Sequence, residues 1–254
     1  MKLDLTSRRV WVTGASSGIG RAVAIEFARR GCAVALSARN RSALDEVARE
    51  CAGERAIVVP LDVTDLRANL EATGRIAEEL GGIDIAFLNA GTCEYIDARD
   101  FDAALCERVM RANFVGIANG IEAVLPVLRN SPHAQLVGMS STVAFGPLPR
   151  AEAYGASKAA IRYLMESLRI DLRGEPISIT VVCPGFVKTP LTDRNDFPMP
   201  FLVGAEDAAR IIVDGVAARQ PEIHFPRRLS IPFKAAAMLP TPLYTRLAAL
   251  ITGH

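Results

Sequence analysis

The feature that most constrains the fold of this chain is a regular alternation of short apolar runs with longer segments of helical periodicity. The runs read RVWVTG, CAVALSA, AIVVPLD, IDIAFLNAG, QLVGMS, ISITVVCPG and EIHF. Segments such as GRAVAIEFARRG and LRANLEATGRIAEELG lie between them. Because strands without a polar face must be covered on both sides, the pattern predicts a doubly wound parallel α/β sheet of about seven strands flanked by helices on both faces.

Length and composition fit a single domain spanning residues 1–254, because no repeat, linker or low-complexity tract interrupts the alternation. A net charge of +1 provides no basic surface for nucleic acid. Five scattered cysteines without a C-x-x-C pair are typical of reduced thiols, so we expect a cytoplasmic protein. The three histidines lack metal-ligand spacing, and no metal site is predicted. We also expect neither a signal peptide nor a membrane span.

A glycine-rich turn, TGASSGIG, follows the first predicted strand and opens the first helix. Glycines at this place permit a tight turn, a close approach of backbone to phosphate and close packing of the helix. The helix N-terminus would then face an anionic pyrophosphate. The alternative is a tight strand-to-helix connection without a ligand, but the context favours a dinucleotide site. The residues expected to contact the dinucleotide are Gly14, Ser16, Ser17, Gly18, Ile19 and Gly20.

The end of the second strand suggests which dinucleotide is bound. Ser37 and Ala38 stand where a carboxylate would hold a ribose 2′-hydroxyl, and Arg39 follows them. An arginine suits a 2′-phosphate, so the sequence favours NADP(H), although a solvated loop charge is the default for a single arginine. Asp62 and Val63 close the third strand, where they would meet the adenine, or Asp62 would cap the next helix.

Several further motifs accompany the glycine turn in a fixed order. They are Thr13-Gly14-x-x-x-Gly18-x-Gly20, Asn89-Ala90-Gly91, Asn113, Ser141, Tyr154-x-x-x-Lys158 and Pro184-Gly185. From about residue 8 to about residue 190, this set resembles the short-chain dehydrogenase/reductase family. Any one motif is weak evidence, but their combination is highly specific.

The resemblance implies roles for the matching positions. Tyr154 would be the general acid/base, and Lys158 would bind the nicotinamide ribose and lower the tyrosine pKa. Ser141 would hold the substrate oxygen, and Asn113 would position a water in the proton relay. The remaining cofactor contacts implied are Asn89 (mainly structural), Ala90, Gly91, Pro184, Gly185, Val187 and Thr189 (at the carboxamide).

The spacing of Tyr154 and Lys158 has a physical reading of its own. Residues i and i+4 share one face of a helix, so both side chains would point into one cleft. An ammonium and an oxidised nicotinamide both favour the phenolate and would bring the phenol pKa toward neutral pH. Taken alone, such a pair is more often an ordinary surface pair. The glycine turn, the serine at a strand end and the Pro-Gly exit favour the catalytic interpretation.

Residues 190–204, which follow a predicted cofactor-binding and catalytic core (1–190), resemble the mobile substrate lid of the family. Four lid residues would form an apolar inner wall, and three from other strand ends would complete the pocket. The lid residues are Phe197, Met199, Phe201 and Leu202, and the others are Tyr95, Phe145 and Leu148. The pattern predicts a hydrophobic substrate, whereas plain packing of the loop against the protein body is the alternative.

The C-terminal segment 227–254 extends beyond the end of many small family members. It predicts two short helices, about Ile231 to Leu239 and about Leu243 to Ile251, separated by two prolines. Its basic residues alternate with apolar ones, which suits a peripheral membrane contact, a dimer contact or a cover over the substrate cleft. Packing on its own subunit is the further alternative. A homo-oligomer, dimer or tetramer, is expected.

These observations predict an NADP(H)-dependent oxidoreductase that acts on a carbonyl/secondary alcohol pair of a hydrophobic, lipid- or steroid-like small molecule. A noncatalytic NADP-sensing or scaffold protein on the same fold is one alternative. An isomerase or dehydratase of the same family is the other. The sequence leaves the substrate and the physiological direction open.

Overall fold

The computed structural model describes residues 3–51 and 55–253, which form one α/β domain around a parallel seven-stranded sheet. The strand order is β3-β2-β1-β4-β5-β6-β7, and every neighbouring pair is parallel. The strands are β1 (Arg9–Thr13), β2 (Ala33–Ser37), β3 (Ala56–Val58), β4 (Ile85–Leu88), β5 (Gln135–Met139), β6 (Ser178–Pro184) and β7 (Glu222–Phe225). The predicted sheet is confirmed, and its order reverses between β1 and β4.

Helices cover both faces of the sheet. They are α1 (Gly18–Arg29), α2 (Arg41–Glu50), α3 (Leu66–Leu80), α4 (Ala103–Met110), α5 (Gly116–Leu128), α6 (Glu152–Asp171), α7 (Ala205–Ala217), α8 (Arg227–Ala236) and α9 (Thr241–Thr252). The core has two halves because strand side chains alternate: Val10 and Val12 pack with α1 and α7, whereas Trp11 packs with α3 and α5. Buried side chains on both faces of the sheet therefore pack the strands against the helices and position the carboxyl ends of the strands.

A turn of π-helix, Arg111–Val115, joins α4 to α5 and carries Asn113. The sequence did not predict this turn. Such turns add one residue to a helical repeat and are frequent at functional sites. Here the turn directs the Asn113 side chain into the protein, where the residue has no exposed surface.

The C-terminal helices differ from their predicted bounds. α8 begins at Arg227, four residues before the expected start, and ends at Ala236, three residues before the expected end, with Pro232 inside the helix. Pro240 is the N-cap of α9, and Pro242 falls in its first turn, where a missing N–H costs no helical hydrogen bond. In residues 3–51 and 55–253, no helix is both long and apolar enough to cross a membrane.

Candidate active site

The predicted site lies at the carboxyl ends of the strands, where the sheet order reverses. Gly14 and Gly18 adopt φ angles of +68° and +55°, which glycine accepts without strain. Asn89, at the end of β4, donates from Nδ2 to the Thr13 carbonyl at 3.0 Å, and its own N–H donates to Thr13 Oγ1 at 2.9 Å. Any Cβ on Gly20 would overlap the Gly14 carbonyl. The glycine turn is therefore packed between β1, β4 and α1.

The first turn of α1 keeps its backbone amides free of side-chain partners. Ser17 is the N-cap residue, yet its hydroxyl makes no capping hydrogen bond, and no acidic residue lies in the first turn. The turn residues Ser16 and Ile19 are half-buried. An N-terminus without a capping side chain or nearby carboxylate carries unopposed partial positive charge, which suits a pyrophosphate.

Thr189 connects this turn to the loop that follows β6. A Cβ on Gly18 would lie 3.3 Å from the Thr189 side chain, so the two loops are in contact. Val187 is buried in the same loop and pairs with Val203 through an isolated parallel bridge. The structure thus brings together the first and last parts of the predicted dinucleotide site.

The end of β2 carries one arginine that forms no ion pair with the described residues. Ser37 is buried and accepts a hydrogen bond from Trp11 Nε1 at 3.0 Å, so it faces the core. Arg39 is exposed, and no residue in the described part of the chain forms an ion pair with it. By contrast, Arg41 lies 4.0 Å from Asp45 on the same helix. Arg39 is therefore free to bind an anionic ligand.

Asp62 does not cap the next helix, so that alternative is wrong. Asp65 is the N-cap of α3 and accepts from the Ala68 N–H at 3.0 Å. Asp62 instead accepts hydrogen bonds from the backbone and hydroxyl of Thr64, which lower its pKa, with a smaller contribution from the charge of Arg39. The following residue, Val63, is half-buried beside this turn.

Two loops meet beside the Lys158 ammonium. A Cβ on Gly91 would lie 2.7 Å from Asn113 Oδ1 and 3.6 Å from Lys158 Nζ, so only glycine fits. The preceding residue, Ala90, donates its N–H to Thr13 Oγ1 at 3.2 Å. The Asn89-Ala90-Gly91 loop therefore links β1 to the predicted catalytic residues.

Every hydrogen on the Asn113 carboxamide has a protein partner. Its Nδ2 donates to the Thr92 carbonyl and to Ser157 Oγ, both at 2.9 Å, and its Oδ1 accepts from the Thr92 N–H at 2.7 Å. Ser157 also donates to the Tyr154 carbonyl at 2.7 Å. Sequence reasoning missed Thr92 and saw Ser157 only as a small residue. The arrangement joins the π-turn, the β4 loop and α6.

Ser141 follows β5 and lies between the loop after β6 and Tyr154. Its hydroxyl donates to the Pro184 carbonyl at 3.4 Å and accepts from the Val143 N–H at 3.3 Å. A hydrogen bond between the Ser141 and Tyr154 side chains lowers the pKa of the phenol. Gly185 donates its N–H to the Phe225 carbonyl at 2.7 Å, which holds the Pro-Gly exit against β7.

Lys158 is buried next to Tyr154 on α6. Its Nζ lies 5.6 Å from the centre of the Tyr154 ring and donates to the Met139 carbonyl at 3.0 Å. Within the described residues, that carbonyl is the one acceptor for the ammonium, which has three N–H groups. Burial lowers the pKa of Lys158 to about 8. The other N–H groups can therefore bind the hydroxyls of a ribose.

The pKa of Tyr154 moves in the direction opposite to the one the sequence predicted. Burial raises it above the ordinary value, the Cys93 thiol adds to this rise, and the hydrogen bond with Ser141 opposes it. Desolvation disfavours the charged phenolate even though the side chain is only partly buried. In the protein on its own, the phenol is thus an acid that keeps its proton at neutral pH.

The geometry of the site agrees with a comparison of the sequence with known protein families. A family model described as short chain dehydrogenase matches residues 8–197. The chain belongs to the short-chain dehydrogenase family. It is an oxidoreductase of that family, whose fold binds a nicotinamide cofactor. The amides of α1 that lack side-chain partners, the close backbone approach at Gly91 and the Lys158 ammonium, which uses one of its three N–H groups on the Met139 carbonyl, fit such a cofactor.

Relatives and solved structures agree with this assignment. An uncharacterized oxidoreductase of Myxococcus xanthus is 38% identical over 96% of this chain and 98% of that protein. The 11-beta-hydroxysteroid dehydrogenase 1A of Arabidopsis thaliana is 32% identical over 93% of this chain and 73% of that protein. A short-chain dehydrogenase/reductase from Burkholderia phymatum, in complex with NAD, matches with a TM-score of 0.84 at 24% identity, covering 91% of this chain and 93% of that chain. A short-chain dehydrogenase from Burkholderia cenocepacia, in complex with NADP, matches with a TM-score of 0.79 at 26% identity, covering 87% of this chain and 96% of that chain.

In this short-chain dehydrogenase, an aromatic cluster lies between the Tyr154 side of the site and residues 190–204. The Phe197 ring packs edge-on against Tyr95 at 5.6 Å and against Phe186 at 6.1 Å. Tyr95 donates to Asn195 Oδ1 at 2.7 Å. The amide of Asn195 contacts the sulfur of Met199 at 3.2 Å. The side chains therefore close the loop against the protein body.

Three of the apolar residues predicted for the substrate pocket lie elsewhere. Phe201 and Leu202 are exposed, with 51% and 45% of their surface accessible, so they do not line an inner wall. Phe145 packs against Phe233 of α8 instead. Phe201 adopts a φ of +58°, and the Phe145 ring is contacted by Phe233 and Lys234 of α8.

Proposed function

We propose that this protein is an NADP(H)-dependent oxidoreductase that interconverts a carbonyl and a secondary alcohol on a hydrophobic small molecule. The observation that carries the proposal is the meeting of Tyr154, Ser141 and Lys158 at one end of the cleft. A proton donor, a hydrogen-bond donor for an oxyanion and a cation for the ribose are the groups that hydride transfer to a carbonyl requires.

Each residue has a separate role in the proposed reaction. When bound, the nicotinamide supplies or accepts the hydride. The Ser141 hydroxyl changes its acceptor from the Pro184 carbonyl to the substrate carbonyl oxygen, and Tyr154 donates the phenolic proton to the same oxygen as negative charge develops there. Lys158 holds the ribose and stabilises the phenolate that remains. Asn113 uses both of its carboxamide hydrogens within the protein, so it fixes the positions of the loop and of α6, and water returns the proton to Tyr154.

The preference for NADP(H) rests on Arg39, which is exposed, unpaired among the described residues and next to the end of β2. A guanidinium can bind a 2′-phosphate through two charge-assisted hydrogen bonds. The Burkholderia cenocepacia structure was obtained with NADP and the Burkholderia phymatum structure with NAD, so both occur on this fold. Measuring kcat/KM for NADPH and NADH with one carbonyl substrate tests the preference.

A hydrophobic substrate is supported by the aromatic side chains beside Tyr154. Tyr95 packs edge-on against Phe197 at 5.6 Å, which provides apolar surface in the loop next to the site. One relative is named 11-beta-hydroxysteroid dehydrogenase 1A, and this name also supports a hydrophobic substrate. The test is NADPH oxidation with ketones graded by chain length and ring number. Turnover of small charged ketones alone would contradict the proposal.

The same assay separates the proposed activity from its alternatives. A dehydratase or isomerase would convert substrate without net consumption of NADPH. A noncatalytic sensor would bind NADPH tightly, by calorimetry, and oxidise none of it with any carbonyl in the panel. Net oxidation of one NADPH per alcohol formed is the result that we expect.

We also propose that the outer face of α8 and α9 contacts an anionic membrane surface. Residues 226–253 contain no Asp or Glu, and Arg227, Arg228 and Arg246 are exposed. The exposed apolar side chains of the same segment are Ile231, Met238, Leu239, Leu243, Leu250 and Ile251. Cations together with exposed apolar side chains are typical of helices that lie on anionic lipid.

Vesicle co-sedimentation tests this contact. We expect binding to vesicles that contain phosphatidylglycerol and little binding to pure phosphatidylcholine. Replacing Leu250 and Ile251 by serine should abolish binding, whereas Leu70→Ser, at an exposed leucine on α3, should leave it unchanged. Equal binding by all three proteins would refute the contact.

A homo-oligomer is proposed through the outer faces of α5 and α6. Tyr163 and Ile170 on α6 are 77% and 74% exposed, and Val115 beside α5 is 38% exposed. Exposed apolar side chains on adjoining helices favour an interface between copies. Sedimentation equilibrium tests this. Ile170→Glu should produce monomers, and an unchanged mass would contradict the interface.

A further inference from the structure

The loop between Ser141 and Tyr154 determines how the predicted proton donor and oxyanion donor face each other. It contains a short 3-10 turn, Thr142–Ala144, and then runs through Phe145 to Ala151 before α6 begins. Its later part includes Arg150, a non-glycine residue at a φ of +65°. A loop with so little regular structure needs contacts from elsewhere to keep one shape.

Tyr244 of α9 supplies one of these contacts. It is 7% exposed, although most residues of that helix are exposed or half-exposed. Its hydroxyl donates to the Pro147 carbonyl at 2.7 Å. A Cβ on Gly146 would lie 2.7 Å from the Tyr244 oxygen and 2.9 Å from the adjacent ring carbon. The tyrosine therefore packs directly on the loop backbone, and the loop has a glycine where the ring lies.

Two cations lie close to the Phe145 ring. The Lys234 ammonium of α8 lies 4.7 Å from the ring centre, and the Arg162 guanidinium of α6 lies 5.3 Å from it. Phe233 packs against the same ring at 6.4 Å and 71°. The ring is thus fixed between α8 and the helix that carries Tyr154.

Glu222 of β7 keeps the two cations together. Its carboxylate forms a salt bridge with Lys234 and lies 3.6 Å from Arg162. Arg162 is one helical turn beyond Lys158 on α6. The contacts from the C-terminal helices consequently reach the predicted catalytic helix through a carboxylate and an aromatic ring.

The second loop of the site also contacts α8. A Cβ on Gly185 would lie 2.7 Å from Leu229 Cδ2 and 3.3 Å from Pro226 Cδ. The carbonyl of the preceding Pro184 accepts the Ser141 hydroxyl. The C-terminal helices therefore contact both loops that surround Ser141.

We propose that α8 and α9 form a brace that holds residues 144–150 in the shape needed for carbonyl binding, with Tyr244 and Lys234 as positioning residues. This inference rests on the proposed oxidoreductase activity. Tyr244 contacts Gly146 and Pro147, and Lys234 contacts Phe145 and Glu222; among the described residues, neither is found in contact with Tyr154 or with the glycine turn. Loosening the brace weakens the binding of the carbonyl substrate and leaves the affinity for NADPH unchanged.

The test compares Tyr244→Phe with Thr245→Val. The first change removes only the hydroxyl that binds Pro147 and keeps the ring. The second removes a neighbouring hydroxyl that bonds within α9, to the carbonyls of Thr241 and Pro242. Lys234→Met provides an independent change at Phe145. Hydrogen–deuterium exchange is measured on the peptide covering residues 144–151, and steady-state kinetics with a hydrophobic ketone give the KM and kcat.

For Tyr244→Phe, we expect exchange in residues 144–151 to become about fivefold faster, because one buried hydrogen bond is lost. The ketone KM should rise by about the same factor, with the Kd for NADPH unchanged. Thr245→Val should match the wild type in all three measurements. Faster exchange across the whole chain, an equal loss of NADPH affinity, or no change in the loop and in KM would each overturn the brace. Since exchange needs no turnover, the brace and the proposed activity can fail separately.

Discussion

Lys158 and Tyr154 lie one turn apart on α6, with the ammonium nitrogen 5.6 Å from the centre of the phenol ring. Burial acts on both groups, but it shifts their pKa values in opposite directions. It lowers the pKa of Lys158 to about 8 and raises that of Tyr154. Two groups with opposite shifts in one cleft are the usual mark of separate acid–base roles. The charge states at neutral pH, an ammonium and an intact phenol, suit protonation of a carbonyl oxygen.

Replacing Tyr154 by phenylalanine should remove the proton donor and leave the fold intact. General acid catalysis contributes about 10²- to 10⁴-fold, so kcat for NADPH oxidation should fall by that range. The melting temperature and the Kd for NADPH should be nearly unchanged. Tyr163→Phe is the matched control, since it removes a phenol hydroxyl from the same helix and keeps the ring at the proposed interface. A Tyr154→Phe variant with full turnover would remove the phenol from the mechanism.

Lys158→Met should make the protein more stable at pH 7. The ammonium is charged in both states there, and its burial in the folded protein costs of the order of 3 kcal/mol, given a pKa lowered from 10.5 to about 8. Between pH 8 and 10.5 the unfolded chain still holds the proton that the folded protein has released. The wild-type free energy of unfolding therefore rises with pH in this window, and the advantage of the variant shrinks.

Urea unfolding at pH 7, 8 and 9.5 measures this change. Lys188→Met, at an exposed lysine, should show no comparable trend. A Lys158→Met variant less stable than the wild type at pH 7, or a constant difference across the series, would mean that burial of the ammonium costs little.

The strands and the glycine turn could be predicted because local sequence determines them. Val10, Trp11 and Val12 are buried on both faces of β1, so the run carries a strong signal without any partner. Gly14 and Gly18 adopt left-handed φ angles that few other residues accept. Burial of a strand and a left-handed φ angle each constrain residues that are close together in the sequence, so the sequence alone reveals them.

Features that depend on distant residues could not be predicted. The π-turn places Asn113 in hydrogen bonds with Thr92 and Ser157, and no periodicity of the sequence indicates these contacts. The pKa of Tyr154 rises because folding desolvates the phenol, whereas sequence reasoning considered only the nearby positive charges. Phe145 faces Lys234 for a similar reason, since α8 returns to the site only in the folded chain.

Arg39→Ala should change the choice of cofactor more than the rate of the reaction. Loss of a charge-assisted contact to a 2′-phosphate should lower kcat/KM for NADPH about 10- to 100-fold and leave the value for NADH nearly constant. Arg41→Ala is the control, because Arg41 faces Asp45 on α2. An equal loss with both cofactors would indicate a general effect on the site and would contradict NADP(H) recognition by Arg39.

Asp84→Asn should destabilise the protein and change its acid unfolding. Asp84 precedes β4 and accepts hydrogen bonds from Arg9 Nε at 2.9 Å and from Ser131 at 2.6 Å. Burial alone would raise its pKa, but these hydrogen bonds and the charge of Arg9 outweigh it and hold the pKa at about 2. The carboxylate therefore contributes about 2 kcal/mol above pH 3.8, and this stability disappears as the pH falls toward 2.

The variant should lose about that amount or more at pH 7, because Arg9 is left without its partner. Its free energy of unfolding, measured in urea from pH 7 to pH 2.5, should fall less steeply than that of the wild type. Glu175→Gln, at the exposed ion pair with Arg129, is the matched control and should follow the wild-type curve closely. Parallel curves for Asp84→Asn and the wild type would mean that another carboxylate controls the acid transition.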